Sequence, residues 1–587
     1  MKRDKSFKGF EITLNRIKME LKMHLLTLLF LIAIHVVTFS AVSYVFLPKG
    51  YTYYGLKYVE ANAVSLIFPK GPLELEYEGK TYKVAARELK DALTNVADET
   101  FHMLWKYFLL AGFAYLLYPA LIVHYHKKSK DMFEKKYVRG AKLITPAELN
   151  EQMKNVTRYL PIGEVKLPIS AETKHCFVVG RPGVGKTVFI SQIIEKLKQR
   201  KDRGVIYDFK ADYLSKFYDP ASDIIFNPLD SRCQGWNIFN EVSTVMDIDA
   251  IAHSLIPQPY SQETFWNDAA RDVFSGILHY LYQNNLKSNR DIWNAVTAPG
   301  KEIAEWLKST PGGQRGHRYI EDASSKQAMS VFSVMMQYVK AFEFMAMADG
   351  DFSIRHWLES DKQGFIFVTN YSDVKDTLKP VLSLFVDLMG RKLLSMPDNP
   401  DRRIFFMLDE FGTLQRLSTI VNLLTLSRSK GGSAWLGIQD IGQIDKIYTK
   451  ELRQTIINAC GSNLIYSVAD PETSEFFSRK VGETEFFEAD ETQHMGPSID
   501  GDRLNISRKK KIEKLVMPAE IMNLKDLECF VKITDFHVTK TKLKHRGYAD
   551  ITESFVIREG LTDNCQHIVD KKSCHDIVDN RLFLTTS

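Results

Sequence analysis

Two stretches near the amino terminus break the usual mixture of polar and apolar positions. From His24 to Leu47 no formally charged residue occurs, and at about 1.5 Å per residue such a helix crosses about 30 Å of hydrocarbon. The second, Leu104 to Tyr125, contains only Lys106 near one end, where it can snorkel, and Pro119, which is expected to kink the helix. Both predict membrane spans. A cleaved signal peptide competes for the first, but its apolar length exceeds an h-region and no small-x-small site closes it. Between the spans, Leu73-Glu-Leu-Glu-Tyr77 and Thr81 to Val84 alternate with period two and predict a hairpin. From about Tyr137 short apolar runs (Cys176 to Val179, Val205 to Asp208, Arg403 to Leu408, Ala434 to Ile438) alternate with amphipathic stretches such as Val188 to Leu197. That alternation predicts an α/β fold, a parallel sheet covered on both faces. It is interrupted from Val242 to about Ala348, where Phe265 to Leu278 and Ser324 to Phe344 carry apolar residues at helical spacing. The interruption reads as an inserted all-α domain.

Composition changes this picture little. With 587 residues, 45% hydrophobic and 25% charged, the chain is a multidomain folded protein rather than a disordered one. A net charge of +5 is too small for this size to mark a nucleic-acid binder, so basic surface must be local. Six cysteines, at 176, 233, 460, 529, 565 and 574, do not fall at framework spacings and point to a reducing compartment. Charge at the flanks says more. Lys2, Arg3, Lys5, Lys8, Arg16, Lys18 and Lys22 precede the first span; Lys127, Lys128, Lys130, Lys135, Lys136 and Arg139 follow the second. Both termini are therefore expected in the cytoplasm, with residues 48–102 outside.

The candidate chemistry begins at Gly180-Arg-Pro-Gly-Val-Gly-Lys-Thr187, which lies between an apolar run and an amphipathic one. Glycines 180, 183 and 185 let backbone N–H groups approach phosphates, and the following helix adds its positive end. Arg181, Pro182 and Val184 complete that loop. Lys186 is placed to reach the β and γ phosphates, and the Thr187 hydroxyl suits a magnesium ion carried by ATP. Asp409 and Glu410 end a buried strand; the first is expected to hold the metal and the second to polarise water. Gln439, ending a further strand, can hydrogen-bond phosphate and water without adding charge. Arg428 is either an exposed surface arginine or a finger entering a neighbouring subunit's site. Asp208 reads as a turn former rather than a site acid. Arg508-Lys-Lys-Lys511 is an exposed loop that could also touch DNA or anionic lipid. In the tail, Cys565, His567, Cys574 and His575 cluster without matching a zinc module, and a docking tail is the better reading.

These residues carry a resemblance. Gly180 to Thr187, Asp409-Glu410, Ser427 to Gly432 and Gly437 to Gln443, together with Phe209 to Phe217, Phe226 to Asp230, Gly235 to Phe239, Asp349 to Arg355 and Ala469 to Thr473, resemble the type IV secretion coupling proteins, in particular their TraD-like branch. The resemblance implies a RecA-like P-loop ATPase at the bacterial inner membrane, hexameric when assembled. It implies a single DNA strand with its relaxase as cargo and a secretion channel as recipient. Lys186, Thr187, Asp409, Glu410 and Gln439 then serve nucleotide binding and hydrolysis, and Arg428 is the finger candidate. The implied domains are a tail over 1–23, spans over 24–47 and 103–126 flanking an external domain at 48–102, nucleotide-binding parts over 137–241 and 349–545, the all-α domain at 242–348, and a tail over 546–587. In the insert, which implies a DNA- or escort-receiving domain, Arg271, Lys287, Arg315 and Arg318 are available, although solvated helix faces and loops account for each of them. A receptor for protein effectors and an FtsK-like duplex pump are the alternatives.

Overall fold

A computed structural model describes residues 5–154, 158–259, 264–494 and 503–561. The tail cysteines and histidines named above lie outside these residues. The chain divides into two units, one of Met1–Lys136 with Phe487–Lys510, the other of Tyr137–Phe486 with Lys511–Ser587.

In the first unit, Glu20–Phe46 and Ala86–Lys128 are long and apolar enough to cross a membrane. The helix Ala86–Ala111 gives way to a 3₁₀ stretch, Gly112–Leu116, before Leu117–Phe133 resumes. Irregularity thus falls just before Pro119, which occupies the first turn of the resumed helix, where its missing N–H costs least. His35 packs edge-on against Phe108 at 4.5 Å, and His24 Nδ1 lies 2.8 Å from the Tyr118 hydroxyl. These contacts join the two spans. Between them the expected hairpin forms, Pro72–Tyr77 against Lys80–Ala85. Its two-residue turn puts Glu78 and Gly79 at φ 50° and 75°, the left-handed conformation that matches strand twist. The hairpin residues Leu73, Leu75 and Val84 pack on Ala61, Leu89 and Leu93, which belong to the helices Lys49–Ile67 and Ala86–Ala111.

The second unit is built on a ten-stranded sheet. In chain order its strands are β1 (Leu143–Ile144), β2 (Cys176–Val179), β3 (Arg203–Asp208), β4 (Ile224–Phe226), β5 (Gly364–Thr369), β6 (Ile404–Leu408), β7 (Gly432–Ile438), β8 (Ser462–Ile465), β9 (Glu528–Ile533) and β10 (Val538–Lys542). Across the sheet they run β1-β10-β9-β8-β2-β7-β6-β3-β5-β4. Strands β8 to β4 of that order are parallel, while β9 is antiparallel to both neighbours. Alternate residues feed two cores. Phe177, Val205, Phe406 and Leu436 enter one; Val178, Ile206, Phe405 and Trp435 enter the other. Burial on both faces is why these strands read as continuous apolar runs.

Helices Val245–Leu255, Phe265–Gln283, Asn289–Val296, Gly300–Ser309, Gln314–Ile320 and Lys326–Val339 intervene between β4 and β5. Three of the four insert cations named from sequence carry local contacts to acidic or carbonyl groups. Arg271 is buried and bonds Ile256 O at 2.8 Å and Asp268 at 2.7 Å; Arg315 meets Asp249 at 2.6 Å; Arg318 lies over the Tyr319 ring and 3.7 Å from Asp272. Lys287 lies over the Tyr282 ring. Arg508–Lys511 belong to a strand, Arg503–Lys514, not to a loop, although their side chains are exposed.

Candidate active site

The parallel strands end together. Val179 of β2 pairs with Ile438 of β7 and Ile465 of β8, Leu408 of β6 with Tyr207 of β3, and Asp208 with Thr369. The residues that follow each strand, Gly180, Asp409 and Gln439, therefore lie along one carboxyl edge, where open α/β sheets place their ligands.

At that edge Gly183 and Gly185 take φ 82° and 111°, a conformation side chains resist. Space is also short: a Cβ on Gly180 would come 2.6 Å from Tyr466 Cβ, and one on Gly185 2.7 Å from Leu527 Cδ2. The loop is pinned from outside by Arg181 N–H on Ser467 O and Leu527 N–H on Val184 O, both at 2.8 Å. Helix Lys186–Gln199 begins immediately, with no acid in its first turn and Lys196 and Lys198 in its last. Its amino end is left positive. Lys186 is buried and donates from Nζ to the carbonyl oxygens of Gly180 and Arg181. Burial lowers its pKa, and the carboxylates of Glu410 and Asp409 oppose that fall.

Asp409 Oδ2 accepts a 2.6 Å bond from the Tyr213 hydroxyl, while Oδ1 is buried without a protein partner. Burial pushes this carboxyl up to about 6, against the pull of the Tyr213 bond. Gln439 Nε2 donates to both Glu410 oxygens at 3.3 Å, and Gln443 Oε1 accepts the Gln439 N–H at 3.1 Å. Amide and acid thus share one hydrogen-bonded group beside the lysine. Thr187 faces outward from the first helical turn. An orphaned carboxylate oxygen, an outward hydroxyl and a buried lysine are the donor set that a magnesium–nucleotide requires.

Two further residues join the site. Asp208 accepts the backbone N–H groups of Asp212, Tyr213 and Leu214 at 3.0, 2.8 and 2.8 Å, which is the turn-forming role. By shaping that turn it delivers Tyr213 to Asp409. The sequence signal was a tyrosine five positions beyond a strand-ending acid, which is too common to single out. Leu527 had no signal, because its contact with Gly185 joins positions 342 residues apart in the chain (527 − 185). Arg428, by contrast, is not brought here. It is exposed, and its charge is felt by His175, which precedes β2 at the opposite edge of the sheet.

Residues 159–544 match the family model described as the type IV secretion-system coupling protein DNA-binding domain. The chain is 27% identical over 575 residues to the coupling protein TraD of Escherichia coli K12, covering 94% of this chain and 79% of that one. Similarity extends to the protein VirD4 of Rhizobium radiobacter, 22% over 417 residues, covering 65% of this chain and 58% of that one. Among solved structures, the unbound bacterial conjugative coupling protein TrwBdeltaN70 superposes with a TM-score of 0.65 at 29% identity, covering 72% of this chain and 97% of that one. The plasmid coupling protein TrwB in complex with ADP and Mg2+ gives 0.64 at 29%, covering 73% and 98%. These matches bear out the α/β, RecA-like reading of the sheet, with apolar amino-terminal helices preceding it.

Proposed function

Because the chain belongs to the type IV secretion-system coupling proteins, we propose that it is a membrane-anchored ATPase that drives a single DNA strand, with its relaxase, toward a secretion channel. The observation that carries this reading is the convergence of Lys186, Thr187, Asp409, Glu410 and Gln439 on one sheet edge in a chain that also has two apolar helices. The phosphate loop, residues 180–187, would wrap the phosphates, with Lys186 turned from loop carbonyls to the γ phosphate. Thr187 and Asp409 would hold magnesium, which when bound neutralises phosphate charge. Glu410 would take a proton from the attacking water, with Gln439 orienting its carboxylate.

Arg428 cannot serve its own chain from the opposite sheet edge, so a finger role requires the neighbour in a ring. Six subunits around a pore would also give the polyanion the aqueous path that two helices alone do not. Sequence-independent phosphate contacts suit such cargo. The domain limits given above, with both termini in the cytoplasm, belong to this proposal. Lys186→Ala is expected to abolish ATP hydrolysis and conjugal transfer while the protein stays in the membrane fraction. Transfer that survives this substitution refutes the motor.

A further inference from the structure

We infer that Tyr213 is a positioning residue for the magnesium–nucleotide, its hydroxyl fixing Asp409 Oδ2 so that Asp409 Oδ1 is the oxygen presented to the ion. This rests on the nucleotide reading above and adds to it a residue outside the phosphate loop and the acid pair.

The geometry has three parts. First, the Tyr213 ring is buried and its single hydroxyl proton is committed to Asp409 Oδ2 at 2.6 Å. That commitment leaves the phenol no proton for any other acceptor. Second, fixing Oδ2 on the tyrosine divides the carboxylate: Oδ1 is buried with no protein partner. A buried acceptor left so is costly unless an ion or its water completes it. Third, the ring is not free to choose this place. The turn that carries it is closed by three N–H bonds to Asp208, with Ala211 held at φ 58°. From the other side, Ser215 donates to Asp550 at 2.7 Å and Ile551 N–H to Ser215 O at 2.8 Å. Partners that orient a metal ligand in this way tune affinity for the ion rather than for the organic part of the ligand.

The competing account is a buried phenol that merely finds the nearest acceptor. The two differ in what magnesium does. The test uses full-length protein in detergent and a fluorescent ATP analogue, comparing wild type with Tyr213→Phe, which keeps the ring and removes only the hydroxyl. For the variant, the magnesium concentration giving half-maximal analogue binding should rise about tenfold. Analogue affinity in EDTA should stay within about twofold, and the melting temperature within a few degrees. Manganese binding followed by electron paramagnetic resonance, in the presence of ADP, should weaken by the same factor. An unchanged magnesium dependence, or an equal loss with and without magnesium, overturns the inference while leaving the ATPase reading intact. A wild type that binds no analogue overturns both.

Discussion

In the proposed roles, Glu410 and Lys186 would separate turnover from binding at the level of single side chains. Lys186 is buried against the loop, whereas the Glu410 carboxylate is part-exposed and accepts from the Gln439 amide. Glu410→Gln should therefore cut phosphate release by about 10²–10⁴-fold while leaving equilibrium nucleotide binding within about twofold. A parallel loss of binding would move Glu410 out of the role of base. A second residue-scale consequence lies at the far edge of the sheet. His175 Nδ1 accepts the Ala434 N–H at 3.0 Å, and burial pushes the imidazole down to about 4, with Arg428 adding to the effect. The unfolded chain binds this proton at ordinary histidine pH and the folded one does not. Stability is therefore full above the unfolded value of 6.5 and is lost as pH falls toward about 4, by about 3 kcal/mol in all. Thermal melts across that window should show the loss in wild type and a flatter acid limb in His175→Asn, which also tolerates the position's φ of 61°.

At the scale of elements, the segment that leaves Glu410 is tied to the first helix of the insert. Thr413 donates to Glu410 O at 2.7 Å, and Gln415 Nε2 to the carbonyls of Ser254 and Leu255 at 3.2 and 3.0 Å. These carbonyls end the helix Val245–Leu255 and have no helical partner of their own. Asp387, buried in the helix Lys375–Ser395, accepts Ser254 Oγ at 2.5 Å, Ser418 Oγ at 2.6 Å, and both the N–H and hydroxyl of Thr419. One carboxylate thus fastens the insert, a core helix and the segment after β6. Asp387→Ala strands these donors in a closed interior and should cost about 3 kcal/mol or more, read as a lowered melting temperature of the full chain. A loss under about 1 kcal/mol would show the network to be idle.

For the whole molecule, a carboxyl-terminal strap runs along the unit that carries the ten-stranded sheet. Tyr548 and Arg546 meet Glu195 on the helix that follows the phosphate loop, at 2.9 and 2.6 Å, and Tyr548 packs edge-on against Phe217. Further along, Asp550 takes Ser215, Phe555 stacks on Tyr371 at 4.6 Å, and Arg558 reaches the carbonyls of Pro228 and Asp230. The strap thus braces the carboxyl side of the turn that carries Tyr213, through Ser215 and Phe217. A chain ending at Leu561 should hydrolyse ATP as wild type does. A chain ending at Leu543 should lose about tenfold or more, with a lower melting temperature, because that turn loses its outer support. Equal activities would make the strap a bystander.

What residue order determined by itself was local: the two apolar runs, the hairpin, the glycine loop, the acid pair after a buried strand and the amide after another. Each depends on side-chain period, backbone freedom or charge within a few neighbouring positions, which a linear reading captures. Tertiary structure decided which of these meet. It set Gln439 on Glu410, because β7 lies between β2 and β6 in register. It delivered Tyr213 to Asp409 through the Asp208 turn, and it set Leu527 under Gly185. It also carried Arg428 to the opposite edge, a separation invisible along the chain, since the two ends of a parallel strand differ in sequence by only a few residues. Strand order and register are long-range choices made by the packing of two apolar faces, and no local period encodes them.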